Sequence, residues 1–360
     1  MPLKRCQSNG KMGHKWGDSG KCFIGPESRQ RAINQGRAIQ ANKKDQVLPL
    51  FTNSPEQKKE TIRQRREQVI RAGGSLPRPT KIPPNMASTA TLERSYYSSI
   101  LSIISPVRQI LQEVLLPSLP AIIDEFKRET RVDTFGETIT QKFGDINIAF
   151  SGVFTESELG QEAEKISLET SDFNRKQVDK QFSSVLAVSP IRTEQYLIPL
   201  VDSFVERNVG LIKSIPEEFL KDVEILLRTR IEQGATTTSI TKEIKEKFQS
   251  TKKRAKLIAR DQIGKFHGKL SELRQTEVGV THYFWETSDD ERVRPRHAAV
   301  DGKRFSWKSP PAVGAKGAKL HPGQDFQCRC WPRPDLTDFF ASSITSQEIS
   351  RLSPIQAGFL

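Results

Sequence analysis

The chain has 360 residues, of which 35% are hydrophobic and 28% charged, and a net charge of +13. That length suits two or three domains. The absence of any run of about 18 apolar residues excludes a transmembrane helix, and the opening MPLKRCQSNG has no apolar core of a secretory signal. Most of the charge lies at one end: residues 1–85 hold 18 Lys and Arg against 6 Asp and Glu, whereas the other 275 hold 38 against 37. A basic arm on a near-neutral body implies a polyanion-binding tail.

In chain order, residues 1–26 form a small module bearing Gly and Cys. Cys6, Cys22, Cys328 and Cys330 sit at opposite ends of a chain without an export signal, so reduced thiols or metal ligands are expected rather than structural disulfides. Cys6, His14 and Cys22 make a weak metal set, with Asp18 the nearest fourth ligand; a packed knot around Trp16 and Phe23 is the plainer alternative.

Residues 27–88 read as a basic, Pro-punctuated, partly disordered linker. Ser54 and Pro55 start a helix that Gly73 and Gly74 end. It carries Lys58, Lys59, Arg63, Arg65, Arg66 and Arg71 but few apolar residues. Together with Lys43 and Lys44 these are the candidate DNA-contacting residues. Phe51 is the only aromatic between 27 and 88, which favours sequence-independent phosphate contact over base stacking. The alternative is solvated, solubilising charge.

Residues 89–250 form the helical body. Ile100, Ile103, Ile104, Val107, Leu111, Val114 and Leu115 recur at helical spacing, with Pro106 expected to kink the run. Further helices are predicted over about 156–187, 192–212, 216–233 and 238–249, Ser214 and Pro216 marking one start. The segment 251–335 opens with a helix over about 252–277. Its residues Ala259, Ile263, Phe266, Leu270 and Leu273 share one face. His267, beside that face, is expected at the surface, and Lys252, Lys253, Arg254 and Lys256 on a solvated edge. At Thr281 the period changes to a strand, THYFWETS, followed by turns and a long Pro- and Gly-rich loop. Residues 336–360 are a polar tail.

His297, His321, Cys328 and Cys330 make a candidate zinc site, since thiolate and imidazole are the ligands zinc prefers. Cys-x-Cys is a weaker signal than paired Cys-x-x-Cys, so buried structural thiols and a disulfide stand as alternatives. The consecutive acids Asp289, Asp290 and Glu291 precede Arg292, Arg294 and Arg296, and read as a salt-bridged turn rather than a catalytic metal site. Neither a Gly-x-Ser-x-Gly step nor a His-Glu-x-x-His helix occurs, and no catalytic residue is assigned.

The strings WETSDDERVRPRHAAVDG and HPGQDFQCRC, with IARDQ on the preceding helix, resemble the phage Mu F-like minor capsid and head-morphogenesis family. The resemblance covers about 190–335 and is strongest over 257–333. Its motif residues here are Arg260, Trp285, Asp290, Arg294, His297, Asp301 and Gly302. Two departures are the four residues 324–327 between HPG and CRC, and Asp261 where Thr is common. The opening module also resembles one found at the start of some phage structural proteins.

The resemblance implies a non-enzymatic protein inside the virion head, made in the host cytoplasm. Its implied partners are portal and capsid or scaffolding protein, to which the basic arm adds double-stranded DNA and the lack of a long apolar run adds the expectation of no membrane. A Mu F-like segment fused to an effector enzyme is the alternative, disfavoured by the 26 residues after Pro334; a DNA-binding protein ejected with the genome is a third. The expected fold is α+β, a mainly helical body with a small strand-and-loop C-terminal domain.

Overall fold

The computed structural model describes residues 3–8, 11–16, 21–25, 28–29, 32, 54–74, 81–128, 140–141, 143–145, 155–191 and 194–340. Lys43, Lys44, Phe51 and the predicted tail beyond residue 340 lie outside them. The chain divides into two units, Met1–Lys58 and Lys59–Leu360.

In the first unit, strands β1 (Leu3–Ser8), β2 (Lys11–Trp16) and β3 (Phe23–Ile24) form an antiparallel sheet in that order. Gly13 pairs with Cys6 on one side and Ile24 on the other. A Cβ at Gly13 would lie 1.9 Å from the Phe23 carbonyl oxygen, so the strands can approach only because the residue is glycine. This register brings Cys6 and Cys22 together as a disulfide, with Cα atoms 5.9 Å apart. The expectation of reduced thiols or a metal set here is corrected. Both sulfurs are consumed, and His14 Nδ1 instead meets Ser28 Oγ at 3.0 Å.

Helix α1 (Pro55–Arg71) begins as its sequence predicts. Ser54 Oγ accepts from the Gln57 N–H, and Gln57 Oε1 accepts from the Ser54 N–H, a reciprocal cap. Gly73, at φ +80°, closes the far end. The second unit continues with α2 (Ala90–Ile110), a π turn (Leu111–Leu115), α3 (Leu116–Arg128), α4 (Glu156–Leu186), α5 (Ile198–Glu232) and α6 (Thr237–Glu277). The π turn, in which the Leu116 N–H reaches back to Leu111, ends two residues before Pro117, whose ring an α turn would crowd.

Two predicted breaks are absent. Helix α5 runs through Pro216, which is buried beside Ile215, Phe219 and Leu220. Helix α6 joins both helices predicted over 238–277 into 41 residues, roughly 60 Å long at 1.5 Å per residue. In each case burial of the flanking apolar residues outweighs the local signal.

Helix α6 is the spine. Its first half packs Ile240, Ile244 and Phe248 against α3 and the end of α5. Its second half packs Ala255, Ala259, Ile263, Phe266 and Leu270 against α2, α4 and the start of α5, the face expected from sequence. Because α4 covers its flank, His267 is buried rather than exposed: it tilts against Phe173, with ring centroids 6.0 Å apart. Arg274, fully buried, makes a two-point contact with Glu194 at 2.6 and 3.2 Å and donates to Asn174 and Ser171.

The exclusion of a membrane-length helix is corrected: by length and composition, the helical run Ala90–Arg128 is long and apolar enough to cross a membrane. Its apolar stripe, Tyr96, Ile100, Ile104, Val107, Leu111, Leu115 and Leu119, is buried in the two cores just described.

Beyond α6, strands β4 (His282–Glu286), β5 (Arg304–Ser306) and β6 (Trp331–Pro334) form an antiparallel sheet with β4 central. Tyr283 and Trp285 alternate inward and are fully buried. The prolines of β6 sit on an edge strand, where their missing N–H groups cost no ladder bond. A third core forms here from Tyr283, Trp285, Trp307, Phe339 and the end of α4.

Candidate metal centre

Three segments converge on one point behind Trp285. The one-turn helix α7 (Pro295–Ala298) places Pro295 at its first position and turns His297 inward to 1% exposure. Strand β4 supplies Trp285, whose ring meets His297 edge-on with centroids 5.4 Å apart. The loop 321–330 brings Cys328 and Cys330, 6% and 8% exposed.

That loop can reach the site because α6 presents two glycines to it. A Cβ at Gly268 would lie 2.7 Å from the Pro322 carbonyl oxygen, and one at Gly264 would lie 3.1 Å from that of Cys328. Gly323, at φ +85°, makes the matching turn on the loop side. Asp261, the residue that departs from the family pattern, ties the loop down: Oδ1 accepts from the Gln327 N–H at 2.9 Å and Oδ2 from Lys265 at 2.6 Å.

At the centre, His297 Nδ1 faces both sulfurs, Cys328 Sγ at 3.6 Å and Cys330 Sγ at 3.4 Å. These three donor atoms all lie within 4.8 Å of one another. On the far edge of the ring, Nε2 meets Asp325 Oδ2 at 3.2 Å. The two cysteines share a hydrogen-bonded site: the Cys330 thiol, with further bonds from His297 and two backbone groups, pulls Cys328 down against the opposing effect of burial, while the same pairing and burial push Cys330 up. Burial also pushes the Asp325 carboxyl up, but hydrogen bonds from Arg296 and the Phe326 N–H, with the nearby charge of Arg294, outweigh it.

His321 does not join this group. Its Nδ1 meets the Tyr283 hydroxyl at 2.9 Å, and its ring packs on Trp307 at 4.9 Å. Of the four ligands expected from sequence, the structure therefore assembles His297, Cys328 and Cys330. It adds Asp325, Asp261, Gly264 and Gly268, which sequence reasoning passed over. A glycine repeat at i, i+4 on an otherwise good helix was the signal available for the last two. Cys328 and Cys330 are free thiols, not a disulfide.

The remaining motif residues frame the same point. Asp290 makes a two-point ion pair with Arg329, whereas Arg294 and Arg296, expected to pair with the acidic turn, engage Asp325 instead. Arg294 also donates to the Phe326 carbonyl at 2.7 Å. Asp301 Oδ1 accepts from the Thr287 N–H at 2.8 Å, and Gly302, at φ +68°, donates to the Trp285 carbonyl at 2.7 Å. Arg260 lies on α6, one residue before Asp261.

Residues 221–332, from within α5 to within β6, match the profile of the family described as Phage Mu protein F like protein. This segment is a phage Mu F-like domain. Its boundaries enclose α6, both glycines, α7 and the whole His/Cys group. A protein of Haemophilus influenzae, described as "Uncharacterized protein", is 35% identical over 181 residues, which is 50% of this chain but only 37% of that relative. No solved structure matches.

The basic residues of α1 divide. Lys59 and Arg66 are 5% and 7% exposed. Lys59 Nζ pairs with Asp338 at 3.2 Å, Arg63 donates to the Asp338 carbonyl at 3.0 Å, and Arg66 donates to the Val185 carbonyl at 3.2 Å while covering the Phe340 ring. These three, assigned from sequence to DNA contact, fasten α1 to the body instead. The reason is Ile62: buried in the third core, it gives a nearly all-polar helix enough apolar contact to dock. Arg71 pairs with Glu67 at 3.6 Å on the exposed side.

Proposed function

We propose that this chain is a minor structural protein of a phage head, working by binding inside the particle rather than by catalysis. The match of residues 221–332 to the Mu F-like family carries this reading. The near-neutral helical body docks on the portal or the neighbouring shell. The basic arm contacts packaged DNA through phosphates. With Lys59, Arg63 and Arg66 engaged in the body, that contact falls chiefly to residues 1–53, which hold 10 Lys and Arg against 3 Asp and Glu. The buried His/Cys group takes zinc as a structural metal, for which its donor set is suited.

Mass spectrometry of purified virions, before and after DNA ejection, tests the reading. A low-copy component retained in emptied heads, and co-purifying with portal, is the expected result. Absence from both virions and procapsids would overturn it in favour of an effector. Loss of the protein with the DNA would favour an ejected DNA-binding protein.

A further inference from the structure

The number of ligands at the His/Cys group decides what kind of metal site it is. Structural zinc sites close with four protein ligands, whereas sites with three keep a coordination position for water or another small ligand. With Zn–S near 2.3 Å and Zn–N near 2.0–2.1 Å, a tetrahedral ion separates sulfur from nitrogen by about 3.6 Å. The observed 3.6 and 3.4 Å from His297 Nδ1 to the two sulfurs match that separation without rearrangement.

Among the described residues no fourth His, Cys, Asp or Glu joins the set. His321 is held away by Tyr283. Asp325 sits on the Nε2 edge of the ring, opposite the ligating nitrogen. A carboxylate in that place accepts a hydrogen bond from the Nε2 N–H and so fixes the tautomer that leaves Nδ1 free to bind. Arg296 and Arg294 in turn orient the carboxylate, the first at 2.7 Å.

We propose that His297 Nδ1, Cys328 Sγ and Cys330 Sγ hold one zinc ion whose fourth position is taken by water, with Asp325 as the residue that positions His297. This rests on the zinc reading above and specifies its coordination. Because the ligating side chains are 1–8% exposed, the open position admits only water or a small ligand such as a diatomic or triatomic anion. The metal would join three otherwise separate pieces: α7, the loop 321–330 and, through that loop, the glycine face of α6.

The test uses the full chain carrying Cys6→Ser and Cys22→Ser, so that Cys328 and Cys330 are the only thiols, kept reduced with a phosphine. Elemental analysis is expected to give one zinc per chain. Zinc well below equimolar overturns the zinc reading itself. Exchange for cobalt(II) is expected to give thiolate-to-cobalt charge transfer and intense tetrahedral visible bands. Azide or cyanide should then shift those bands by replacing the water. Bound cobalt whose spectrum ignores both anions overturns the open position while leaving the metal site standing.

Asp325→Asn is expected to weaken zinc affinity 10–100-fold, measured against a competing chelator, with the cobalt bands still tetrahedral. His321→Gln should leave both affinity and anion response unchanged. If His321→Gln instead alters the bands and Asp325→Asn does not, His321 is the fourth ligand and the proposal fails.

Discussion

Each end of the described chain has a three-stranded sheet with a pair of cysteines beside it, and the two pairs differ in chemistry. In the N-terminal sheet the pair lies 16 residues apart, and the pairing of β2 with both β1 and β3 brings the Cα atoms to bonding distance. Beside the C-terminal sheet the pair is two residues apart, precedes the start of an edge strand and faces a buried imidazole. A covalent link suits a small sheet with little core to bury. The C-terminal sheet has Tyr283, Trp285 and Trp307 in its core, and its two sulfurs stay free thiols beside His297. Cysteine count and compartment alone could not separate these cases; the partner each thiol faces does.

The comparison can be broken most severely at Trp285. Trp285→Ala removes a fully buried side chain and should cost about 3–5 kcal/mol, read as a lowered denaturant midpoint with loss of near-UV ellipticity. Tolerance of this change would mean that the C-terminal sheet is not held by its apolar core.

Breaking the other end should act locally. Cys6→Ser removes a cross-link closing a loop of about 15 residues, worth about 3 kcal/mol to the small sheet. Amide exchange over residues 3–24 should accelerate, with exchange over α6 unchanged. Acceleration in both places would tie the two units energetically.

Acid sharpens the contrast within the body. Burial, with a lesser contribution from the charge of Arg274, pushes His267 down to about 4. The unfolded chain takes up this proton near pH 6.5 and the native chain only near 4, so stability falls as pH drops through that window, by about 3 kcal/mol at most. Comparing urea unfolding at pH 7 and 4.5, His267→Gln should lose less stability on acidification than the parent.

Smallest is the change at the glycine face. Gly268→Ala places a Cβ 2.7 Å from the Pro322 carbonyl oxygen, and should cost about 1–3 kcal/mol by lifting the loop from α6. Weaker metal binding measured alongside would show that the loop carries the cluster. Unchanged stability would mean the loop yields without strain.

Several elements were legible because their causes are local. The Ser54–Gln57 cap, the apolar face from Ala259 to Leu270 and the inward alternation of Tyr283 and Trp285 follow from residue type and spacing. The unbroken α5 and α6 were not legible, because Pro216 and the polar stretch near residue 250 read as breaks until neighbouring helices cover them. The site was legible in part: His297, Cys328 and Cys330 stand out as ligand types, but which histidine reaches the sulfurs depends on contacts far apart in sequence.

By itself, then, the amino-acid sequence determined the helical periodicity, the charge asymmetry between arm and body, and the motif that places residues 221–332 among Mu F-like proteins. These depend on composition and on neighbours within a few residues. Only the tertiary structure decided that Cys6 meets Cys22, that Lys59 and Arg66 turn to the body, and that Asp325 rather than His321 stands beside His297. Each of those outcomes is a choice among chemically equivalent partners. It is settled by strand register and by how closely two backbones can pack at a glycine.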